Sequence, residues 1–500
     1  MLRTLLFSDE ITVFWDKQWE LPDGVLYRAT LGDAVIETTY THVTFAPLTP
    51  ATDYTLKVER IEDGCAVECL GVLPLSTPAA KRRIDVSAAP YSAIGDGVTL
   101  NTAALQAAIN DCGEGDCVYF PAGDFLTGAL DLHSDMEIYL EEGATLRGTA
   151  TLEDYLPRIL SRFEGIEGMC YRSVLNMGTL DHAGGPNCRN VTIRGKGAIL
   201  GGGAAHAEAT LADERERLKE FLAANADYVK TCENDNTIPG RVRSRLLHIA
   251  NCENIVIAGL TLGYAASWNV HFIYSKNIVT YGCRILSRGV WNGDGWDPDS
   301  SEDCVIFDTH FETHDNSIAI KSGKNPEGNI IGRPTVGVRI FHCDGGQCMA
   351  VGSEMSGGVS DVYIWDCDFT DSNAGIGLKV TDKRGAYIRN VRVRNCRFVN
   401  LRARRVSFND DGEPADTLPI VEDVLFENVE FTGISISPDG TKRPTDVLFI
   451  AGPEDEAHYF NRFTFDGLRI PCRADGSQSL ISLRNVKDLT VKNLTFYPEK

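Results

Sequence analysis

Hydrophobic and polar residues alternate over short runs through the start of the chain, in ITVFW, VLYRATLG, THVTFAP and YTLKVERI, with turn residues between them. Residues 1–82 are therefore expected to form a small β-sandwich without helices. A basic, proline-bearing connector, STPAAKRRIDV, leads into YSAIGDGVTLNTAALQAAINDC, where Thr102 can cap a helix whose apolar positions Leu105, Ala108 and Ile109 share one side. Very short strands with glycine turns follow in VYFPAGDFLTGALDLHSDMEIYLEEGATLRGT. From about residue 190 a looser repeat emerges, as VTIRGKGAIL, IVIAGLTLGY, IVTYGCRILS, CVIFDTHFET, VGVRIFHCDG, VYIWDCDFTD, VRVRNCRFVN, VLFENVEFTG and LTVKNLTFYP, mostly 23 to 32 residues apart. A short apolar strand recurring at that period cannot bury its own face, so every turn must cover its neighbour. The pattern predicts an all-β chain in which a right-handed parallel β-helix occupies residues 83–500. Cys283, Cys343, Cys367 and Cys396 fall at similar places in their repeats and are expected to stack as an interior ladder at about 4.8 Å. One insertion, HAEATLADERERLKEFLAANADYVK, has leucines and charges at helical spacing. It predicts a surface helix near residues 205–230, either a wall of a binding cleft or a solvated decoration.

Composition narrows the partners. Lysine and arginine total 48 against 70 aspartates and glutamates, a formal charge of −22 that repels phosphate backbones and anionic lipid. No nucleic-acid or membrane partner is expected, and an acidic ligand would have to meet a local cationic pocket. The N-terminal MLRTLLFSDEITVFWDKQWE has no signal-peptide core, and no 18-residue apolar run exists, which predicts a cytoplasmic location. Fifteen scattered cysteines are then expected to be reduced core residues. The close pairs Cys65/Cys69, Cys112/Cys117 and Cys343/Cys348 lack zinc-site spacing and a histidine partner.

The densest polar cluster is VWNGDGWDPDSSEDCVIFDTHFETHDNSIAIKSGKN, where Asp294, Asp297, Asp299 and Asp315 occur within 22 residues. One coil of a β-helix is about that long, so Asp294 and Asp315 are expected on one face of adjacent coils, about 5–10 Å apart. Two carboxyl groups so placed can hydrolyse a glycosidic bond, one protonating the leaving oxygen while the other activates water. Alternatively, these residues serve glycine-rich turns, or DGWDPDSSED binds calcium. His314 either hydrogen-bonds Asp315 or a sugar or faces solvent from its turn. Among Trp268, Trp291 and Trp296, the last is expected to be the sugar-stacking platform. Trp268 is expected in the core, and Glu354 at a rim or in a structural role.

From about residue 85 onward the chain resembles glycoside hydrolase family 28, the polygalacturonase family of right-handed β-helices. NGDGWDPDSS is similar to that family's NTDGIDPDSC, HDNSIAIKSGKN to its GDDCIAIKSGKN, and VGSEMSGGV to the IGSEMSGGV of its exo-acting members; GDGVTLNTAALQAAI and PAGDFLTGAL resemble its first coils. The resemblance implies an inverting mechanism with Asp315 as general acid and Asp294 in the pair that activates water. Lys379, in GLKVTDKRG, falls on the lysine of the family's RIK motif and would contact a substrate carboxylate. Three positions depart from the pattern: Asn316 stands for the second aspartate of the DD pair, Gly346 for the GHG histidine and Gly377 for the RIK arginine. Asp294 would then act alone or with another carboxylate such as Asp297, and the bidentate arginine fork is lost. No metal or organic cofactor is implied. Ahead of the β-helix, Leu48, Pro50 and Tyr54 in LTPATDYTLKV resemble the tyrosine corner of fibronectin type III domains.

The expected function is an exo-acting, inverting glycoside hydrolase that removes terminal sugars, galacturonate or a related residue, from pectin-derived or other plant oligosaccharides. Asp294 and Asp315 would be catalytic, with Lys379, Asn316, His314, Asp297 and Trp296 binding substrate. The alternatives are a carbohydrate-binding protein whose catalytic set has decayed, a glycosidase for a non-uronic sugar, and a β-helix lyase using Lys321 or Lys379 as base.

Overall fold

In the strand Leu26–Leu31 every second side chain is buried, as its alternation requires. A computed structural model of the protein describes residues 1–437, 439–472 and 480–498. The chain divides into two compact units, residues 1–83 and 84–500. In the first, Leu2–Leu6, Ile11–Trp15 and His42–Phe45 form one antiparallel sheet. Ala34–Thr38, Leu26–Leu31, Asp53–Glu62 and Cys65–Ser76 form another. Ile11, Val13, Trp15, Leu56 and Val58 pack in one apolar cluster of that unit. The Tyr54 hydroxyl accepts a hydrogen bond from the Thr49 amide at 3.2 Å, pinning the loop before its strand.

The second unit is a right-handed parallel β-helix. Its strands pair in parallel from coil to coil, so one sequence position becomes a column running along the helix. Val191, Ile255, Ile278, Cys304, Val338, Val362, Val391 and Val424 form such a column, each paired with the next and all buried. The core is continuous because no coil closes it alone. Asparagine explains one turn: Asn190, Asn254 and Asn277 all have φ between 54° and 59°, a conformation asparagine tolerates, and their amides bond in series at 3.0 and 2.7 Å.

Several local expectations change. Thr102 is the first residue of the helix Thr102–Asn110, whose cap position is Asn101; the Thr102 hydroxyl instead accepts the Gly128 amide at 2.7 Å. Leu105, Ala108 and Ile109 are buried as their spacing demands. The thiol ladder is shorter than expected, since Cys343, Cys367 and Cys396 interact in series while Thr309 stands opposite Cys343 on the Cys283 side. The insertion holds three helices, Gly203–Arg217, Lys219–Ala224 and Ala226–Val229, rather than one, and a fourth, Thr237–Gly240, follows before the next coil. Trp296 is not a surface platform. It lies fully buried in the strand Trp296–Asp299, edge-on to Phe272 at 5.0 Å, with its indole N–H donating to the Thr280 hydroxyl at 3.0 Å.

Candidate active site

The site lies over an eleven-stranded parallel sheet. In the strands Ile318–Ile320, Met349–Val351, Ile376–Val380 and Leu401–Arg405, alternate residues enter the core: Ile318, Met349, Ile376 and Leu401 stack in register. The intervening column runs Ala319, Ala350, Gly377, Arg402. Of these Gly377 lies in a cavity wall, around which loops and strand ends bring charged side chains.

Asp294 and Asp315 come together as the coil length predicts. The Gly295 amide donates to the Asn316 carbonyl of the next coil at 3.0 Å, and a Cβ at position 295 would stand 2.4 Å from the Ser317 carbonyl, so only glycine permits this approach. One cavity is lined by Asp294 and Asp315 together with Glu164, Glu233, Trp268, Lys321, Glu354, Lys379, Asn316 and Phe408. A second is lined by His314, Asp315, Asn316, Gln347, Lys379, Arg402, Arg404 and Phe408. Asp315, Asn316, Lys379 and Phe408 belong to both, whereas Asp294 reaches only the first.

Lys321 organises the first cavity. Its ammonium donates to Asp294 Oδ2 at 3.1 Å and lies 4.0 Å from both Asp297 Oδ1 and Glu354 Oε2. It also sits 3.8 Å from the centre of the Trp268 ring. Burial works to deprotonate Lys321, but Glu354, Asp294 and Asp297 outweigh it and hold the amine well above the ordinary lysine range. Burial pushes the Asp294 carboxyl up to about 7, with Lys321 pulling the other way and Asp315 adding to the rise. Asp294 Oδ1 is buried and has no hydrogen-bond partner in the protein.

The remaining expected residues divide. Lys379 is half-buried in both cavities, and its ammonium donates to Asn316 Oδ1 at 3.0 Å. Asn316 therefore anchors this lysine in place of presenting a second carboxylate. His314 is exposed at the second cavity, where its Nδ1 accepts the Gly289 amide at 3.2 Å and its own amide donates to the Ser287 hydroxyl at 3.1 Å. Asp297 lines neither cavity: it is fully buried, and burial holds its carboxyl well above the usual range. It is thus a buried neighbour of Lys321, outside both cavities. Gly346 has no room for a side chain, since a Cβ would stand 2.3 Å from the Asp371 carbonyl; the pocket position is its neighbour Gln347. The calcium reading of DGWDPDSSED loses its ligands, because Asp294 and Asp297 face Lys321 and Asp299 pairs with Arg162 at 3.2 Å.

Sequence reasoning missed much of the wall. Glu164 caps the hairpin Ile159–Phe163 and Ile166–Cys170, and Glu233 comes from the helical insertion. Burial raises Glu233, helped by Asp315 and Glu164. Trp268, expected only in the core, stacks on Phe163 at 4.4 Å yet forms part of the cavity surface. Phe408 is exposed and lines both cavities, where Trp296 lines neither. Arg402 and Arg404 carried a readable signal, the alternation of LRARR in an acidic chain. Glu233 and Phe408 lie outside any repeat.

Comparison with known proteins agrees with this architecture. The family described as glycosyl hydrolases family 28 matches residues 117–448, and residues 86–139 also match the rhamnogalacturonase A/epimerase, pectate lyase-like family. An exo-poly-alpha-D-galacturonosidase of Dickeya chrysanthemi is 27% identical over 472 residues, covering 90% of this chain and 77% of its own. A probable polygalacturonase of Vitis vinifera is 29% identical over 396 residues, covering 71% and 74%. Among solved structures, a Yersinia enterocolitica family 28 exopolygalacturonase superposes with a TM-score of 0.78 at 20% identity, covering 100% of this chain and 97% of that one. A Thermotoga maritima exopolygalacturonase does so with a TM-score of 0.66 at 24% identity, covering 82% and 92%.

Proposed function

The chain belongs to glycosyl hydrolases family 28, and from that membership we propose that it is an exo-acting, inverting hydrolase removing the terminal sugar from pectin-derived oligosaccharides. The observation that carries this reading is the position of Asp315 between two cavities, of which Asp294 reaches only one. A glycosidic oxygen over Asp315 puts one sugar in each. The anomeric carbon under attack belongs to the sugar on the Asp294 side, and the leaving group occupies the other cavity.

Asp315 is then the acid that protonates the bridging oxygen. Asp294 Oδ1 takes a proton from the attacking water while Lys321 steadies Oδ2, and water arriving from the side opposite the leaving group inverts the anomeric centre. Asn316 cannot accept that proton and instead positions Lys379. Its acidic neighbours favour the charged form of Lys321, which does not suit the base of a lyase. Exo action is supported by Glu164, Glu233 and Phe408, which come from three excursions of the coil and wall the glycone cavity, and by the name of the Dickeya relative. The cysteines are mostly buried core residues without disulfides among the described residues, which suits a cytoplasmic enzyme acting on imported fragments.

The test is sugar release from pectin-derived oligosaccharides by the wild type, Asp315→Asn and Asp294→Asn. Each substitution is expected to lower kcat by about 100-fold or more while ligand binding persists. Retained turnover in either would remove that residue from the mechanism.

A further inference from the structure

We propose that Arg402 and Arg404 form a subsite for the carboxylate of a uronic acid residue on the leaving-group side of the scissile bond, replacing the arginine that Gly377 lacks. This rests on the hydrolase reading above, which fixes which cavity receives the leaving group.

The strand Leu401–Arg405 lies one coil beyond Ile376–Val380, with Arg402 opposite Gly377 and Arg404 opposite Lys379. Leu401 and Ala403 are buried in the core, so Arg402 and Arg404 project from the outer face, half-buried, into the cavity shared with Asp315 and Lys379. A Cβ at Gly377 would meet Lys379 Cε at 3.2 Å, so the absent side chain leaves ground that Lys379 crosses and Arg402 overlooks. Neither guanidinium has a carboxylate within ion-pair distance among the described residues, although the chain has 22 more acidic than basic groups. Nearby arginines are paired: Arg405 with Asp382 at 3.0 Å and Arg397 with Asp368 at 2.7 Å. Arg402 makes one neutral contact, donating to the Thr445 hydroxyl at 2.9 Å. Burial, and then the charge of Arg402, lowers the Arg404 pKa from its ordinary value. Two like charges held together without a counterion in a sugar-sized hollow are satisfied by an arriving anion, and guanidinium groups match a carboxylate in planar, bidentate geometry. The opposite cavity, with Glu164, Glu233 and Glu354, offers no comparable welcome.

The experiment compares two oligosaccharides with the same terminal sugar, in which the residue across the scissile bond is a free uronate or its methyl ester. Wild type, Arg402→Gln, Arg404→Gln and the double variant are assayed as full-length chains, with thermal melts to confirm folding. The wild type is expected to prefer the free acid. Each single variant should lose about tenfold in kcat/KM on it, chiefly through KM, while changing about twofold or less on the ester. Equal losses on both substrates, or a wild type indifferent to esterification, would overturn the subsite. Should the wild type cleave neither, the hydrolase reading fails by itself; calorimetric binding of free-acid and esterified ligands to the wild type and Arg402→Gln then decides the subsite by the same preference.

Discussion

Removing the ammonium of Lys321 would leave Asp294, Asp297 and Glu354 facing one another in a water-poor hollow, where fewer of them can ionise together. At the residue scale this couples activity to pH. Asp294 must be ionised to accept a proton from water, and its carboxyl is pushed up to about 7 by burial. The working pair carries one proton, on Asp315 with Asp294 ionised, so the kcat/KM profile should fall as the last proton of the pair leaves through about 7. A profile that keeps rising through that region would detach the pair from the rate-limiting proton transfers. Lys321→Met removes a charge that lowers this pKa, so the limb should move to higher pH; an unmoved limb would mean another group sets it. The parity of strand residues was readable here and misapplied. Asp297 and Trp296 are adjacent in one strand, so they cannot both serve the cleft, and in fact neither lines it: Trp296 is buried in the core and Asp297 beside Lys321.

At the scale of elements, the walls depend on one buried carboxylate. Asp411 accepts from Arg241 at 2.7 Å and from the Tyr228 hydroxyl at 3.0 Å, and it contacts Lys324, joining the insertion to the coil. Burial opposes its charge, but Arg241 and Lys324 outweigh burial and hold Asp411 well below the usual carboxylate range. Its stabilising effect is thus complete above the unfolded value near about 4 and is lost as pH falls through the lower folded value. Asp411→Asn should cost about 3–5 kcal/mol at neutral pH, read by denaturant unfolding, because it leaves the buried Lys324 without a carboxylate partner and Arg241 with Glu164 alone. A loss below about 1 kcal/mol would show that the network does not hold the wall. The coils were legible because each repeats one apolar strand whose interior side chains stack in register. Glu164, Glu233 and Phe408 were not, because hairpin, insertion and loop follow no period and converge only through contacts such as this one. The Asp294 and Asp315 pair was legible because coil length converts a spacing of 21 residues into adjacency.

For the whole molecule, a net charge of −22 conflicts with an anionic substrate unless cations are gathered where they are needed. The β-helix achieves this by column: one face lines up Gly377 with Arg402 and Lys379 with Arg404, while the neighbouring cavity collects the carboxyl groups for proton transfer. Side chains from three excursions of the solenoid, Glu164, Glu233 and Phe408, wall the cavity that Asp294 reaches. Composition anticipated a local cationic pocket, but its place required the register of coils that sequence spacing alone leaves approximate. The most direct measurement is a time course of oligogalacturonides labelled at the reducing end, with products resolved by length. Labelled chains that shorten by one residue at a time from the unlabelled end, with activity lost in Asp315→Asn, are the predicted result. Mid-length labelled products from the first time points, or binding without any cleavage, would contradict the account.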